Sequence, residues 1–158
     1  MKVTEIDKAK QVLLDKGGLG RLVMNLTGSG GSGKSFVLDA TKSFCNQFCK
    51  AIEKPFNDSV FIVTATTNTA VAQINGDTIH SIAGLRRKLS GILKNCSFNW
   101  VRAKILFIDE ISMMDIMDFL KLDKYLCLMA QFNPEALNYP FGGLNIIFCG
   151  DFSQLPSW

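Results

Sequence analysis

Leu22-Val23-Met24-Asn25-Leu26-Thr27-Gly28-Ser29-Gly30-Gly31-Ser32-Gly33-Lys34-Ser35 reads as a strand, a glycine-rich turn and the start of a helix. Gly28 to Ser35 spell G-x-x-x-x-G-K-S, and apolar residues then recur every three or four positions. Glycines let successive backbone N–H groups of such a turn point inward, at the positive end of the following helix, so the turn holds phosphate. Gly28, Ser29, Gly30, Gly31, Ser32 and Gly33 form the expected cradle for a nucleoside triphosphate. Lys34 is expected to reach the outer phosphates, and the Ser35 hydroxyl to ligate Mg²⁺.

Beyond this unit, strands alternate with helices. The first strand is expected over about 21–27, and further apolar runs at 60–65, 104–108 and 144–149 read as strands buried on both faces. The helix after the turn carries Val37, Ala40, Phe44, Phe48 and Ile52 as an expected core stripe and stops before Pro55. Ser112-Met113-Met114-Asp115 resembles a capping box, which predicts a helix from there to about 131, with Met113, Met114 and Met117 filling the core. An N-terminal helix is expected over 3–16, ended by Gly17-Gly18. The pattern predicts an α/β fold, a parallel sheet flanked by helices, with ligands at the carboxyl ends of the strands. Gly28, Asp109 and Asp151 all fall just past strand ends.

At 158 residues and 47% apolar composition, the chain is long enough for one domain with its own core and too short for two such domains. No apolar stretch reaches the length of a membrane span, and Met1-Lys2-Val3-Thr4-Glu5 lacks a signal-peptide core, so no membrane partner and an intracellular setting are expected. The net charge of +3 argues only weakly for a polyanion, and Arg86-Arg87-Lys88 is read as a solvated loop. Cys45 and Cys49 share a helix face, but His80, the one histidine, lies too far along the chain for ordinary zinc spacing. Cys127 and Cys149 are read as small core residues, and Trp100 as core.

Ile105-Leu106-Phe107-Ile108-Asp109-Glu110 is an apolar strand ending in two acids. Asp109 is expected to hold the hydrated Mg²⁺ that Ser35 touches, and Glu110 to orient and deprotonate an attacking water. A carboxylate directly after the magnesium acid points to hydrolysis, as opposed to transfer onto a small acceptor. The arginines are Arg21, Arg86, Arg87 and Arg102, with none afterwards, and none is an obvious arginine finger. A finger is therefore expected from a further domain or a partner chain.

Together with Gly150-Asp151-Phe152-Ser153-Gln154-Leu155-Pro156, these motifs resemble the petite-integration-frequency (Pif-one) family of superfamily-1B DNA helicases, including the helicase segments of rolling-circle transposons. Thr64-Ala65-Thr66-Thr67, Ala70, Ile74, Gly76, Thr78-Ile79-His80-Ser81, Ile108 to Met113 and Pro140-Phe141-Gly142-Gly143 match in order and spacing, so the resemblance runs from about 22 to 156. Asn68 stands where glycine is usual, Gly31-Ser32 where alanine or glycine and then threonine are usual, and Ser157 where a second proline is common.

The resemblance implies a P-loop NTPase (RecA-like) domain that binds Mg²⁺–ATP. Gln154 matches a glutamine that senses the γ-phosphate and links it to DNA, and Gln11 one that contacts adenine. Thr66, Thr67, Asn68, Thr78, His80 and Ser81 fall where relatives contact single-stranded DNA, and Phe152 is a further stacking candidate. The implied activity is ATP-dependent 5′-to-3′ unwinding in DNA repair, recombination or telomere maintenance, in the nucleus or mitochondrion. Segment 1–20 is expected to lead in to the nucleotide, and 21–158 to form the first motor domain alone. A second motor domain would then come from elsewhere, and the isolated domain would hydrolyse ATP slowly and unwind nothing. The alternatives are a truncated, non-catalytic ATP- or DNA-binding module or mobile-element remnant, and a P-loop ATPase acting on protein.

Overall fold

The computed structural model describes residues 22–85, 99–130 and 139–151. The N-terminal helix, Gln11, Arg86-Arg87-Lys88, Phe152 and Gln154 lie outside the described residues. Parallel strands β1 (Val23–Thr27), β2 (Phe61–Ala65), β3 (Asp77–Thr78), β4 (Ile105–Asp109) and β5 (Asn145–Gly150) form one sheet in the order β1-β5-β4-β2-β3. Val23 pairs with Ile146, Ile105 with Asn145, and Phe61 with Ile105. The expected strands are all present, each beginning one or two residues later than the apolar runs suggest.

Period-two alternation splits these apolar strands between two cores. Ile62, Leu106, Ile108, Ile146 and Phe148 face one side. There they meet α3 (Ile79–Ile82), α4 (Asn99–Arg102) and α5 (Ile116–Met129) through Ile79, Trp100, Leu122, Tyr125 and Leu126. Phe61, Ala65, Phe107, Ile147 and Cys149 face the other side, against Leu38 of α1 (Lys34–Ala51) and Ala70 and Ile74 of α2 (Asn68–Ile74). Phe119, Phe141 and Phe148 pack ring to ring with centroids 5.5 to 5.7 Å apart. The Asp123 carboxylate accepts from the Phe141 N–H at 2.6 Å, tying the 3-10 turn Pro140–Gly143 to α5.

Two helix faces differ from their sequence expectation. On α1 the buried residue is Leu38, with Cys45 packed behind it, whereas Val37 and Phe44 are exposed, Phe44 to 56%. Phe36, Val37 and Leu38 are consecutive apolar residues, so periodicity admits more than one stripe. The helix begins at Lys34 after the Gly33 cap, and that start turns Leu38 onto the sheet. Ala40 also faces out, while Phe48 and Ile52 are half-buried.

The helix expected from Ser112 instead starts at Ile116. Asp115 is its cap, accepting from the Met117 N–H at 2.6 Å, and Ile111–Met113 form a separate 3-10 turn. That offset turns Met113 and Met117 outward, Met117 to 59% exposure, and only Met114 packs against the core.

Truncating a core residue costs both its transfer free energy and a cavity. Leu122→Ala, on the fully buried face of α5, is expected to destabilise the fold by roughly 2–5 kcal/mol. Met117→Ala is expected to stay within about 0.5 kcal/mol of wild type. Urea denaturation of the two variants separates the observed face from the one the methionines suggested.

Candidate functional site

Every strand points the same way, so the turns after β1, β2, β4 and β5 collect at one edge of the sheet. After β1 the chain passes through Gly31 at φ 76° and Gly33 at φ 91°, a backbone region that favours glycine. Lys34 opens α1, and its ammonium donates to the Gly28 carbonyl at 2.7 Å and the Ser29 carbonyl at 3.0 Å. The side chain thus lies along the loop that the sequence marks as a phosphate cradle. Gly28 packs so closely on Ser32 that a Cβ there would overlap the Ser32 hydroxyl.

Asp109 ends β4, and Glu110 follows in a left-handed conformation, φ 53° and ψ 39°, which for a non-glycine residue costs about 1–3 kcal/mol. Its N–H donates to Asp109 Oδ1 at 2.9 Å, and its carbonyl accepts from the Met113 N–H at 2.9 Å. Among the described residues, Trp100 Nε1, Glu110 Oε2 and Ser112 Oγ are buried without a hydrogen-bond partner. Two of these lie on the same turn. Buried polar atoms are normally paired, which sets this turn apart from the rest of the core.

Cys149, fully buried on β5, stands between these loops. Burial is the main cause that pushes its thiol up from 9.0 to about 12. The charge and hydrogen bond of Asp109 add to this, Lys34 opposes it, and Glu110 raises it further. The P-loop lysine and both acids thus act electrostatically on the same buried thiol. Gly150 follows it, and a Cβ there would stand 3.1 Å from Ile111 Cγ2 and 3.2 Å from the Ser112 nitrogen. Glycine at 150 lets β5 approach the turn that carries Glu110.

Ser35 and Asp109 offer hard oxygen donors of the kind Mg²⁺ takes alongside water and substrate phosphates. Among the described residues no group of three or more His, Cys, Asp or Glu is placed to hold a metal.

A groove of about 460 Å³ opens beside this edge. It is lined by Thr66, Thr67, Asn68, Thr78, His80 and Ser81, the residues expected to contact DNA, together with Gly84. Thr67 caps α2 by accepting from the Ala70 N–H at 3.2 Å, and Thr78 caps α3 by accepting from the Ser81 N–H at 3.2 Å. Asn68 opens α2 in ordinary helical backbone, so glycine is not needed there. His80 Nε2 lies 3.1 Å from Asp118 Oδ2, and Lys121 donates to the other carboxylate oxygen at 2.7 Å. The Lys121 hydrogen bond is the main cause holding the Asp118 carboxyl below its usual range, with burial working against it and His80 assisting.

A model of the PIF1-like helicase family matches residues 7–157. The chain belongs to that family. It is 36% identical over 140 residues to the ATP-dependent DNA helicase PIF1 of Candida albicans, covering 82% of this chain and 14% of that one. The Saccharomyces cerevisiae enzyme of that name is also 36% identical, over 82% of this chain and 15% of its own. The human enzyme is 33% identical, over 82% of this chain and 19% of its own. The chain thus spans less than a fifth of the length of these relatives.

Among solved structures, Pif1 helicase from Candida albicans superposes with a TM-score of 0.65 at 29% identity, covering all of this chain and 34% of that one. Bacteroides Pif1 in complex with ADP-AlF3 and ssDNA gives 0.60 at 26% identity, with the same coverage. The observed parallel sheet with flanking helices is the RecA-like P-loop fold of these PIF1-like structures.

Sequence reasoning assigned Cys149 to the core and missed its contact with Asp109. Its place one residue before Gly150-Asp151, at the end of a strand, was the available signal. Asp118 was also missed, because nothing in the sequence pairs it with a histidine 38 positions earlier.

The thiol shift has a definite sign. A raised folded-state value adds stability that is fully present below 9.0 and is lost as pH rises towards about 12. Cys149→Ala is expected to flatten that alkaline loss in denaturation curves collected across the interval. Native Cys149 is also expected to resist iodoacetamide below pH 9.0, whereas in the unfolded chain it reacts readily, as peptide mass spectrometry would show.

Proposed function

We propose that this PIF1-like domain is the ATP-binding and strand-gripping first motor unit of a 5′-to-3′ DNA helicase. The observation that supports it most is one of placement. The P-loop, the Asp109–Glu110 turn and the six groove residues gather at the same edge of the sheet. The ATP-dependent DNA helicases to which the chain is similar, and the ADP-AlF3 and ssDNA named with one solved neighbour, support ATP and single-stranded DNA as the ligands of that edge.

In this reading Lys34 leaves the Gly28 and Ser29 carbonyls for the outer phosphates of ATP, exchanging two neutral acceptors for anionic ones. Ser35 and Asp109 would hold Mg²⁺, which would supply charge neutralisation at the transferring phosphoryl group. Glu110, already turned left-handed with an unpartnered carboxylate oxygen, orients the attacking water and takes its proton. Thr67 and Thr78 accept backbone hydrogen bonds, so their hydroxyl protons remain to donate to strand phosphates. Asn68, Ser81 and His80 line the same path, with His80 held by Asp118. Gln154 and Gln11 take the γ-phosphate-sensing and adenine-contacting roles that their family positions imply.

Segment 1–20 acts as the lead-in to the nucleotide, and 21–158 as the motor domain. Translocation needs two domains that close and open on nucleotide. A second motor domain and an arginine finger would complete the motor, whose work would be DNA repair, recombination or telomere maintenance in the nucleus or mitochondrion. No described helix is long and apolar enough to cross a membrane.

Steady-state ATPase assays of the chain, with and without single-stranded DNA, test this reading. Turnover is expected to be slow and stimulated by DNA, and a forked duplex to stay intact. Glu110→Gln is expected to lower turnover by about 10²–10⁴-fold while ATP still binds, as for loss of a general base. Lys34→Ala is expected to lose ATP binding itself. Unimpaired turnover in both variants, or unwinding by this chain alone, would contradict the proposal.

A further inference from the structure

Thr66 touches both halves of the site. Its side chain lines the groove, while its hydroxyl donates to the Glu110 carbonyl at 2.8 Å and its N–H donates to the Asp109 carbonyl at 3.1 Å. A threonine hydroxyl carries one proton. The hydroxyls of Thr67 and Thr78 accept from backbone N–H groups, so their protons are free, whereas the Thr66 proton is committed to the turn that carries Glu110. A phosphodiester oxygen only accepts. Seating one against Thr66 takes that proton away from Glu110.

We propose that Thr66 is a positioning residue whose single hydroxyl proton is exchanged between the Glu110 carbonyl and a strand phosphate, linking strand binding to the placement of the Glu110 carboxylate. This inference rests on the reading of the groove as a strand-binding site. No covalent bond is made or broken, and the proton stays on Thr66 Oγ1 while its acceptor changes.

The Glu110 peptide can respond because it is held in a left-handed conformation that the neighbouring bonds enforce. Once the Thr66 bond is lost, the Met113 N–H is, among the described residues, the donor left to the Glu110 carbonyl, and the peptide is freer to rotate. The carboxylate that moves with it has one buried oxygen, Oε2, without a hydrogen-bond partner among the described residues, so that oxygen is not tied to its present place. Linkage makes the effect reciprocal. A nucleotide that fixes Glu110 must change the affinity of the groove for a strand by the same factor.

The test uses the 158-residue chain and a fluorescently labelled oligothymidylate, with anisotropy read with and without Mg²⁺ and a non-hydrolysable ATP analogue. The analogue is expected to shift the wild-type dissociation constant by about five-fold or more, the lower end of ordinary coupling. Thr66→Val keeps the shape and removes the proton, and is expected to shrink that shift to within about two-fold of none. Thr66→Ser keeps the proton and is expected to retain the shift.

A full shift in Thr66→Val overturns the proposal. So does loss of the shift in Thr66→Ser, or a wild type whose strand affinity ignores the analogue. Loss of analogue binding in Thr66→Val would mark a merely structural role and overturn it too. A wild type that binds the analogue but no oligonucleotide overturns the strand-groove reading first, and this inference with it.

Discussion

At the end of β4 the backbone turns left-handed at Glu110, and hydrogen bonds from three directions hold it there. Thr66 on the β2 side donates through its N–H and hydroxyl, Met113 donates from the following turn, and the Asp109 carboxylate accepts the Glu110 N–H. Gly150 allows β5 to close on the same turn from the other side. Relaxing that conformation would move the Asp109 and Glu110 carboxylates relative to the P-loop lysine and also shift one wall of the groove. Local strain of about 1–3 kcal/mol persists only where the surroundings over-determine it. Here β2, β4 and β5 all contribute.

The sheet explains why such a turn can border both the P-loop and the groove. Parallel strands place all their carboxyl ends together, and the order β1-β5-β4-β2-β3 puts Cys149 of β5 between the P-loop strand and the acid-bearing strand. Beyond β4, β2 leads directly into Thr66 and Thr67. The P-loop, the Asp109–Glu110 turn and the groove residues are therefore neighbours through the backbone, without a long relay. Apolar residues on both alternating faces of β2, β4 and β5 are packed beneath helices.

Much of this was legible in the residues. The P-loop was readable from its glycine spacing, and the strands from apolar runs bounded by Gly, Pro and acids. The α/β class followed from their alternation. Helix faces were less legible. Phe36-Val37-Leu38 supplies three candidates for one core contact, and only the helix start at Lys34 decides among them. Ser112 carries the composition of a cap, but Asp115 wins because the 3-10 turn after Glu110 uses the intervening residues.

The short elements α2, β3 and α3 give no periodic signal at all, and the groove they form was visible only through resemblance. The bond between Thr66 and Glu110 spans 44 positions, and the contact of Cys149 with Asp109 spans the whole of α5. Neither distance is encoded by local pattern. Both follow from which strands the fold lays side by side.

The central claim is that nucleotide and strand meet at the β4 turn. Hydrogen exchange followed by mass spectrometry, on the chain alone, with Mg²⁺ and an ATP analogue, and with added oligothymidylate, tests it most directly. Nucleotide is predicted to slow exchange at 28–35 and 109–113, and the oligonucleotide to slow it at 66–84 and again at 109–113. Protection by the oligonucleotide that leaves 109–113 unchanged, or that falls away from 66–84, would contradict the claim.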